Sequence, residues 1–274
     1  MNQQMLLYDQ YLTSAQQMLE PFADTGAILQ FVSEEKISVA HFWTTTPTVI
    51  LGLQDQRLEN LAGGLKFLDD NDHIYYLRNS GGLGVVTDPE VLNFTLFLPN
   101  KDDLSIDQAY QKMADIMQAT FSQKIKTGEI KHSYCPGTFD LSINDQKIAG
   151  ISQRRSGNAV AVMAYISITG DQKRRSQLMK DFYEVSNYPV SQKIDFPNVD
   201  VHSMENLDNL IDQPLTSTSA EQKILTTLTS NNYSIDRKNF NIVRNSQPYQ
   251  NAYQKTLEEL VYKNTKLLGE NYDL

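Results

Sequence analysis

Cysteine is almost missing from this chain: among 274 residues, Cys135 is the one thiol. A single thiol makes no internal disulfide and builds no cysteine-based zinc site, so Cys135 is either packing or a working group. Histidine is scarce too. His41, His73, His132 and His202 follow no metal-motif spacing, and neither a metal nor a cofactor is expected. No apolar run approaches the roughly 20 residues needed to cross a bilayer, and the first twenty residues lack the basic-then-apolar order of a secretion signal. A cytoplasmic protein without membrane association is expected. Basic residues are outnumbered 33 to 24 by acidic ones, a formal net charge of -9. A field of that sign repels a phosphate backbone and argues against nonspecific nucleic-acid binding.

What is present is ordinary globular composition, 40% hydrophobic and 21% charged, on a chain long enough to bury a substantial core. Helical spacing of Met5, Tyr8, Leu12, Ala15 and Leu19 predicts a helix over 4–20, closed by Pro21. β-Branched and aromatic runs predict strands over 27–32, 37–43, 48–51, 73–77 and 92–98. Ala109, Tyr110, Met113, Ile116, Met117 and Phe121 form a broad apolar stripe, predicting a helix over 106–121. Further strands are predicted over 139–143, 147–152 and 159–167, the first two joined by an Asn144-Asp145 turn. Helices follow over 171–184, 218–228 and 249–268. This order predicts an α+β or α/β fold, a mixed β-sheet flanked by helices. We expect a single domain over 1–274, with a core of about 30–232 and a helical segment of about 249–268 packed on it.

Two stretches carry chemistry. Residues 78–86 read Arg-Asn-Ser-Gly-Gly-Leu-Gly-Val-Val behind a predicted strand. Glycines there let backbone N–H groups approach a ligand, yet the pattern is neither a P-loop nor a dinucleotide fingerprint. Alone it reads best as a tight turn. Residues 133–143 read Ser-Tyr-Cys-Pro-Gly-Thr-Phe-Asp-Leu-Ser-Ile, with Lys147-Ile148-Ala149-Gly150 close behind. Pro136 and Gly137 put Cys135 in a loop, where a thiol can be exposed, and a hairpin would bring Lys147 back to it. An ammonium beside the sulfur favours the attacking thiolate. On spacing alone a packed cysteine remains the commoner case, and the choice stays open. Trp43, Phe42, Tyr75 and Tyr76 read as core.

Taken together these stretches resemble the lipoate ligase, biotin ligase and octanoyltransferase superfamily. Arg78-Asn79-Ser80-Gly81-Gly82, Phe139-Asp140-Leu141 and Lys147-Ile148-Ala149-Gly150 stand in the family's order. Residues 48–54, ending Gly52-Leu53-Gln54, and the Leu92-Asn93-Phe94 strand agree, so the likeness spans about 28–165. The Tyr-Cys-Pro-Gly loop is similar to one branch in particular. Its members move an octanoyl group from a lysine of the glycine-cleavage carrier protein to lysines of lipoyl domains, and for this chain the resemblance implies transfer of an octanoyl or lipoyl group.

The resemblance implies that Cys135 is the acyl-thioester nucleophile and that Lys147 lowers its pKa and contacts the carbonyl. It implies that Arg78, Ser80, Gly81 and Gly82 line the acyl and carbonyl pocket. Asp140 would support the loop, and Ala149 and Gly150 would offer oxyanion amides. The implied partners are the glycine-cleavage carrier protein as donor and lipoyl domains of 2-oxoacid dehydrogenase subunits as acceptors. Lys173, Arg174 and Arg175 are a guess for the acceptor surface. Alternatives are transfer from acyl carrier protein, ATP-dependent ligation, for which the polar tail looks too short to hold an accessory domain, and a noncatalytic lipoyl-domain binder.

Overall fold

The computed structural model describes residues 3–12, 14–100, 103–186 and 196–268. The chain starts with strand β1 (Gln3–Tyr11), not with the predicted helix over 4–20, of which residue 13 lies outside the described residues. Met5, Leu6, Leu7 and Tyr8 are all buried, because β1 lies inside a sheet with both faces covered. Such a strand reads as an unbroken apolar run rather than an alternation, and its spacing then mimics a helix. Pro21 opens helix α1 (Glu20–Glu35) instead of closing one. In a first helical turn its missing N–H has no partner to lose. The predicted strand over 27–32 therefore lies within α1.

The remaining strands are β2 (Ser38–Thr44), β3 (Thr48–Leu51), β4 (Ile74–Leu77), β5 (Val85–Thr87), β6 (Val91–Pro99), β7 (Lys126–Thr127), β8 (Leu141–Ile143), β9 (Gln146–Ser156), β10 (Ala159–Ser167) and β11 (Tyr233–Asp236). They form an eight-stranded mixed sheet, β11-β1-β2-β6-β10-β9-β8-β7, and a three-stranded sheet, β4-β3-β5. β1 pairs in parallel with β11 and β2, and β2, β6, β10 and β9 pair antiparallel in turn. The β8–β9 hairpin turns at Asn144 and Asp145, both at positive φ (52° and 61°), as a tight two-residue hairpin requires.

Along β6 the period of two divides the side chains. Leu92, Phe94, Leu96 and Leu98 join the core under α3 (Ile106–Thr120) and α6 (Ser217–Ser230). Phe97 packs on the other face with α1, and Asn93 and Thr95 on that face line a cavity. Outside α1 lies α8 (Gln247–Leu268), approaching so closely that a Cβ at Gly26 would lie 2.5 Å from Thr256 Oγ1. The small sheet is covered by α2 (Leu61–Asp70) and α4 (Gln172–Ser186), while α5 (Leu207–Ile211) and α7 (Phe240–Arg244) are short connectors. No helix among the described residues is long and apolar enough to cross a membrane.

Candidate active site

The glycine-rich stretch leaves β4 and folds around its own arginine. Arg78 Nε donates to Ser80 Oγ at 3.0 Å, Nη2 to the carbonyls of Gly81 (2.8 Å) and Leu83 (3.0 Å), and Nη1 to the Ile50 carbonyl (3.3 Å). A second turn, Gly52-Leu53-Gln54 after β3, clamps the loop from beneath. Leu53 N–H donates to the Ser80 carbonyl and Gln54 N–H to that of Gly82, at 3.3 and 3.2 Å. Gly52 has to be glycine for this approach, since a Cβ there would overlap the Gly82 carbonyl group. Beneath both turns, wholly buried Asp55 accepts from Gly52 N–H (2.7 Å) and Tyr183 OH (3.0 Å), and Tyr183 OH accepts from Gly84 N–H (2.8 Å). Burial pushes the Asp55 carboxyl up to about 6 against the pull of those donors.

The cysteine loop meets this platform from the other side. Cys135 is half-buried in a left-handed conformation, φ 53°, uncommon outside glycine and asparagine. Its Sγ accepts from Leu83 N–H at 3.4 Å, and a Cβ at Gly82 (φ 88°) would stand 3.3 Å from the sulfur. Lys147, at the start of β9, reaches under the loop. Its Nζ donates to the Cys135 carbonyl (2.8 Å) and Ser133 Oγ (3.3 Å) and pairs with Asp140 Oδ1 at 2.9 Å, which engages all three ammonium hydrogens. The other Asp140 oxygen accepts from the N–H groups of Gly137 (3.1 Å) and Ile130 (3.3 Å). Burial pushes the Asp140 carboxyl up, and Lys147 pulls it back toward the charged form.

The two loops line a cavity of about 350 Å³, within the range of small-ligand sites. Arg78, Ser80, Gly81, Gly82, Cys135, Asp140, Lys147 and Gly150 line it. Phe22 and Thr25 of α1, Trp43 of β2, Ile50 of β3 and Met163 of β10 also line it. The cavity lining thus combines a polar, glycine-rich set of loop residues with apolar side chains from the helix and strands. Among the described residues, no three His, Cys, Asp or Glu side chains gather as a metal site.

Residues 17–229 match the family described as the lipoyl protein ligase A/B catalytic domain. The chain belongs to that family. It is 40% identical over 187 residues to an octanoyl-[GcvH]:protein N-octanoyltransferase of an Exiguobacterium species, covering 67% of each chain. A Macrococcus caseolyticus protein of the same name is 36% identical over 216 residues, 78% of this chain and 79% of that one. A lipoyl-[GcvH]:protein N-lipoyltransferase of Listeria monocytogenes is 40% identical over 178 residues, 64% of each chain. A crystal structure of lipoate-protein ligase A bound with ATP superposes with a TM-score of 0.71 at 14% identity, over 98% of this chain and 99% of that one. At that identity the likeness concerns the fold.

In this lipoyl ligase family fold, almost every site residue picked out from the sequence converges on one cavity. Ala149 is the exception: its side chain is buried in the main core, and only neighbouring Gly150 lines the cavity. The guess of an acceptor surface over Lys173, Arg174 and Arg175 fails for Arg175. That residue is buried and holds Asp88 through two bonds, 2.7 and 2.9 Å, leaving only Lys173 and Arg174 exposed. Trp43, read as core, is buried in a hydrophobic cluster and lines the cavity as well. Sequence reading also missed a buried bridge between the loops. Tyr134 OH and Tyr165 OH lie 2.8 Å apart, Tyr165 OH donates to the Val86 carbonyl at 2.6 Å, and Gln172 Nε2 donates to Tyr134 OH at 3.2 Å. Adjacency of Tyr134 to the cysteine was its one signal. Asp55 and Tyr183, 128 positions apart, gave none.

Proposed function

We propose that this protein moves an octanoyl group from a lysine of the glycine-cleavage carrier protein GcvH to lysines of lipoyl domains, through a thioester on Cys135. The donor and reaction rest on the relatives' names, octanoyl-[GcvH] and lipoyl-[GcvH] transferases. One geometric observation carries the thioester: Cys135 lines the cavity, its sulfur against the backbone N–H of a glycine-rich loop.

In the first half-reaction the Cys135 sulfur forms a bond to the octanoyl carbonyl carbon. The carbonyl oxygen takes negative charge beside the Leu83 N–H, a backbone dipole already held against the sulfur, which passes its hydrogen bond from the sulfur to that oxygen. The C–N bond then breaks and the GcvH lysine leaves as an amine, taking up the proton that the thiol gave up. In the second half-reaction the acceptor lysine nitrogen bonds to the thioester carbon, the C–S bond breaks, and the thiol is restored. One amide replaces another, so the exchange is close to balanced and needs no nucleotide.

Lys147 acts through the loop. Its bond to the Cys135 carbonyl and its pair with Asp140 fix the left-handed turn that presents the sulfur, and its charge lies in the cavity wall. Arg78 likewise shapes the glycine-rich loop, since four of its five N–H groups are engaged with loop and β3 oxygens. A working free thiol favours a reducing compartment and hence the cytoplasm. We read the chain as a single domain, the segment about 249–268 completing the core of about 30–232.

Intact-protein mass spectrometry after mixing with octanoylated GcvH tests the reading, with Cys135→Ala alongside. An octanoyl adduct on the unaltered protein and none on the variant is expected, followed by loss of the adduct when lipoyl domain is added. Equal transfer by Cys135→Ala, or an adduct formed only with free lipoate and ATP, would overturn it.

A further inference from the structure

Asn264, wholly buried in α8, bonds to a residue 187 positions away. Its Oδ1 accepts from the Leu77 N–H at 2.7 Å, and its Nδ2 donates to the Leu77 carbonyl at 2.9 Å and to its own helix at Leu260, also 2.9 Å. Leu77 ends β4, an outer strand of the small sheet. Leu77 aligns with Leu51 of β3, and the next N–H, that of Arg78, turns inward to the Leu51 carbonyl at 3.0 Å. The N–H and C=O of Leu77 therefore face away from the sheet. Covered by an apolar side chain, the two buried groups would be left without partners. A carboxamide presents acceptor and donor side by side, as a neighbouring strand would.

The residue held in this way adjoins the centre of the acyl site. Arg78 follows at once, its guanidinium gathers the carbonyls of Gly81 and Leu83, and the Leu83 N–H touches the Cys135 sulfur. We propose that Asn264 is a positioning residue for acyl transfer: by serving as a substitute strand edge for Leu77, the last helix sets the glycine-rich loop against the nucleophile. The proposal rests on Cys135 being the acyl acceptor.

The test compares Asn264→Leu with Tyr249→Phe, which loosens α8 elsewhere by removing the 2.6 Å bond to Asp24. Amide exchange over residues 77–84 and the alkylation rate of Cys135 are read first, then kcat and KM with octanoylated GcvH. Asn264→Leu should speed exchange at Leu77 and Leu83, change the alkylation rate, and lower kcat by about tenfold or more with KM within about twofold. Tyr249→Phe should lower the melting temperature with exchange in the loop and kcat unchanged. Should Asn264→Leu fail to fold, Asn264→Asp keeps the acceptor, loses the donor, and should show the same direction of change. Loop exchange at the wild-type rate in a folded variant, or a kcat loss matched by Tyr249→Phe, would overturn the proposal. If the unaltered protein forms no acyl adduct, the thioester reading fails, and the exchange comparison still decides whether Asn264 holds the loop.

Discussion

Replacing Gly52 by alanine would push the glycine-rich loop from beneath, through its backbone at Gly82 and Leu83. The added Cβ would overlap the Gly82 carbonyl oxygen, lie 2.5 Å from its carbon and stand 2.9 Å from Leu83 N. These are backbone atoms, so no side chain can swing aside. Restoring ordinary carbon–carbon contact requires a retreat of about 1 Å. The bonds from Leu53 N–H to the Ser80 carbonyl and from Gln54 N–H to that of Gly82 start at 3.3 and 3.2 Å and would be lost. Two such bonds are worth about 2 kcal/mol, or about 4–8 °C in melting temperature for a chain of this size. A displacement of that order at the Leu83 N–H should cost about 100-fold in acyl-transfer rate. Gly81→Ala is the stability control, since a Cβ there meets nothing within 4 Å and the melting temperature should hold. Stopped-flow or quenched-flow acylation of Cys135, with thermal melts of both variants, measures each quantity. A Gly52→Ala protein that melts several degrees lower and still acylates at the normal rate would refute the claim that loop placement governs the chemistry.

Two further outcomes follow from buried charge. Lys147→Met strands Asp140, 1% exposed, without its cation and should cost about 3–5 kcal/mol in urea unfolding. Adding Asp140→Asn should recover most of that stability with no recovery of transfer; recovery of both would make the pair purely structural. His41 is wholly buried, and burial holds its ring down to about 3, against 6.5 when unfolded. Its contribution is intact above about pH 6.5 and is lost as pH falls from there toward 3, about 2 kcal/mol of it by pH 5. Asp24 and Asp55, raised to about 6 by burial, act oppositely, adding stability as pH falls through 6 toward 3.8. His41→Gln should therefore shift the pH 7 to pH 5 change in unfolding free energy by about 2 kcal/mol in the stabilising direction relative to the unaltered protein. Parallel pH profiles for the two would contradict this.

How far the fold was legible depended on how many sides of an element are covered. Helix α3 has one wet face, and its stripe placed it nearly to the residue. β1 and α1 are packed on both sides, so neither shows the alternation or stripe that tells strand from helix, and each was read as the other. Helix α2 has no counterpart among the elements predicted from sequence, and Gly63-Gly64 lowers its helical propensity. In the fold, Gly64 lies where any Cβ would strike Ser186 at the end of α4. That Arg78, Ser80, Gly81, Gly82, Cys135 and Lys147 gather round one cavity was more legible than the framework, because they lie in short runs whose order matches the family's. The supports, Asp55 with Tyr183 and Asn264 with Leu77, join residues more than a hundred positions apart and leave no local mark.

The last of those supports also orders events in time. Leu77 is made 187 residues before Asn264. At typical synthesis rates that is an interval of roughly 10 to 40 s, during which the earlier part of the chain can fold. The sulfur and its glycine-rich partner can meet within that interval, whereas the strand edge that steadies them is satisfied only once α8 docks. A nascent chain would therefore satisfy the Leu77 strand edge only well after the glycine-rich loop and the cysteine loop have been made.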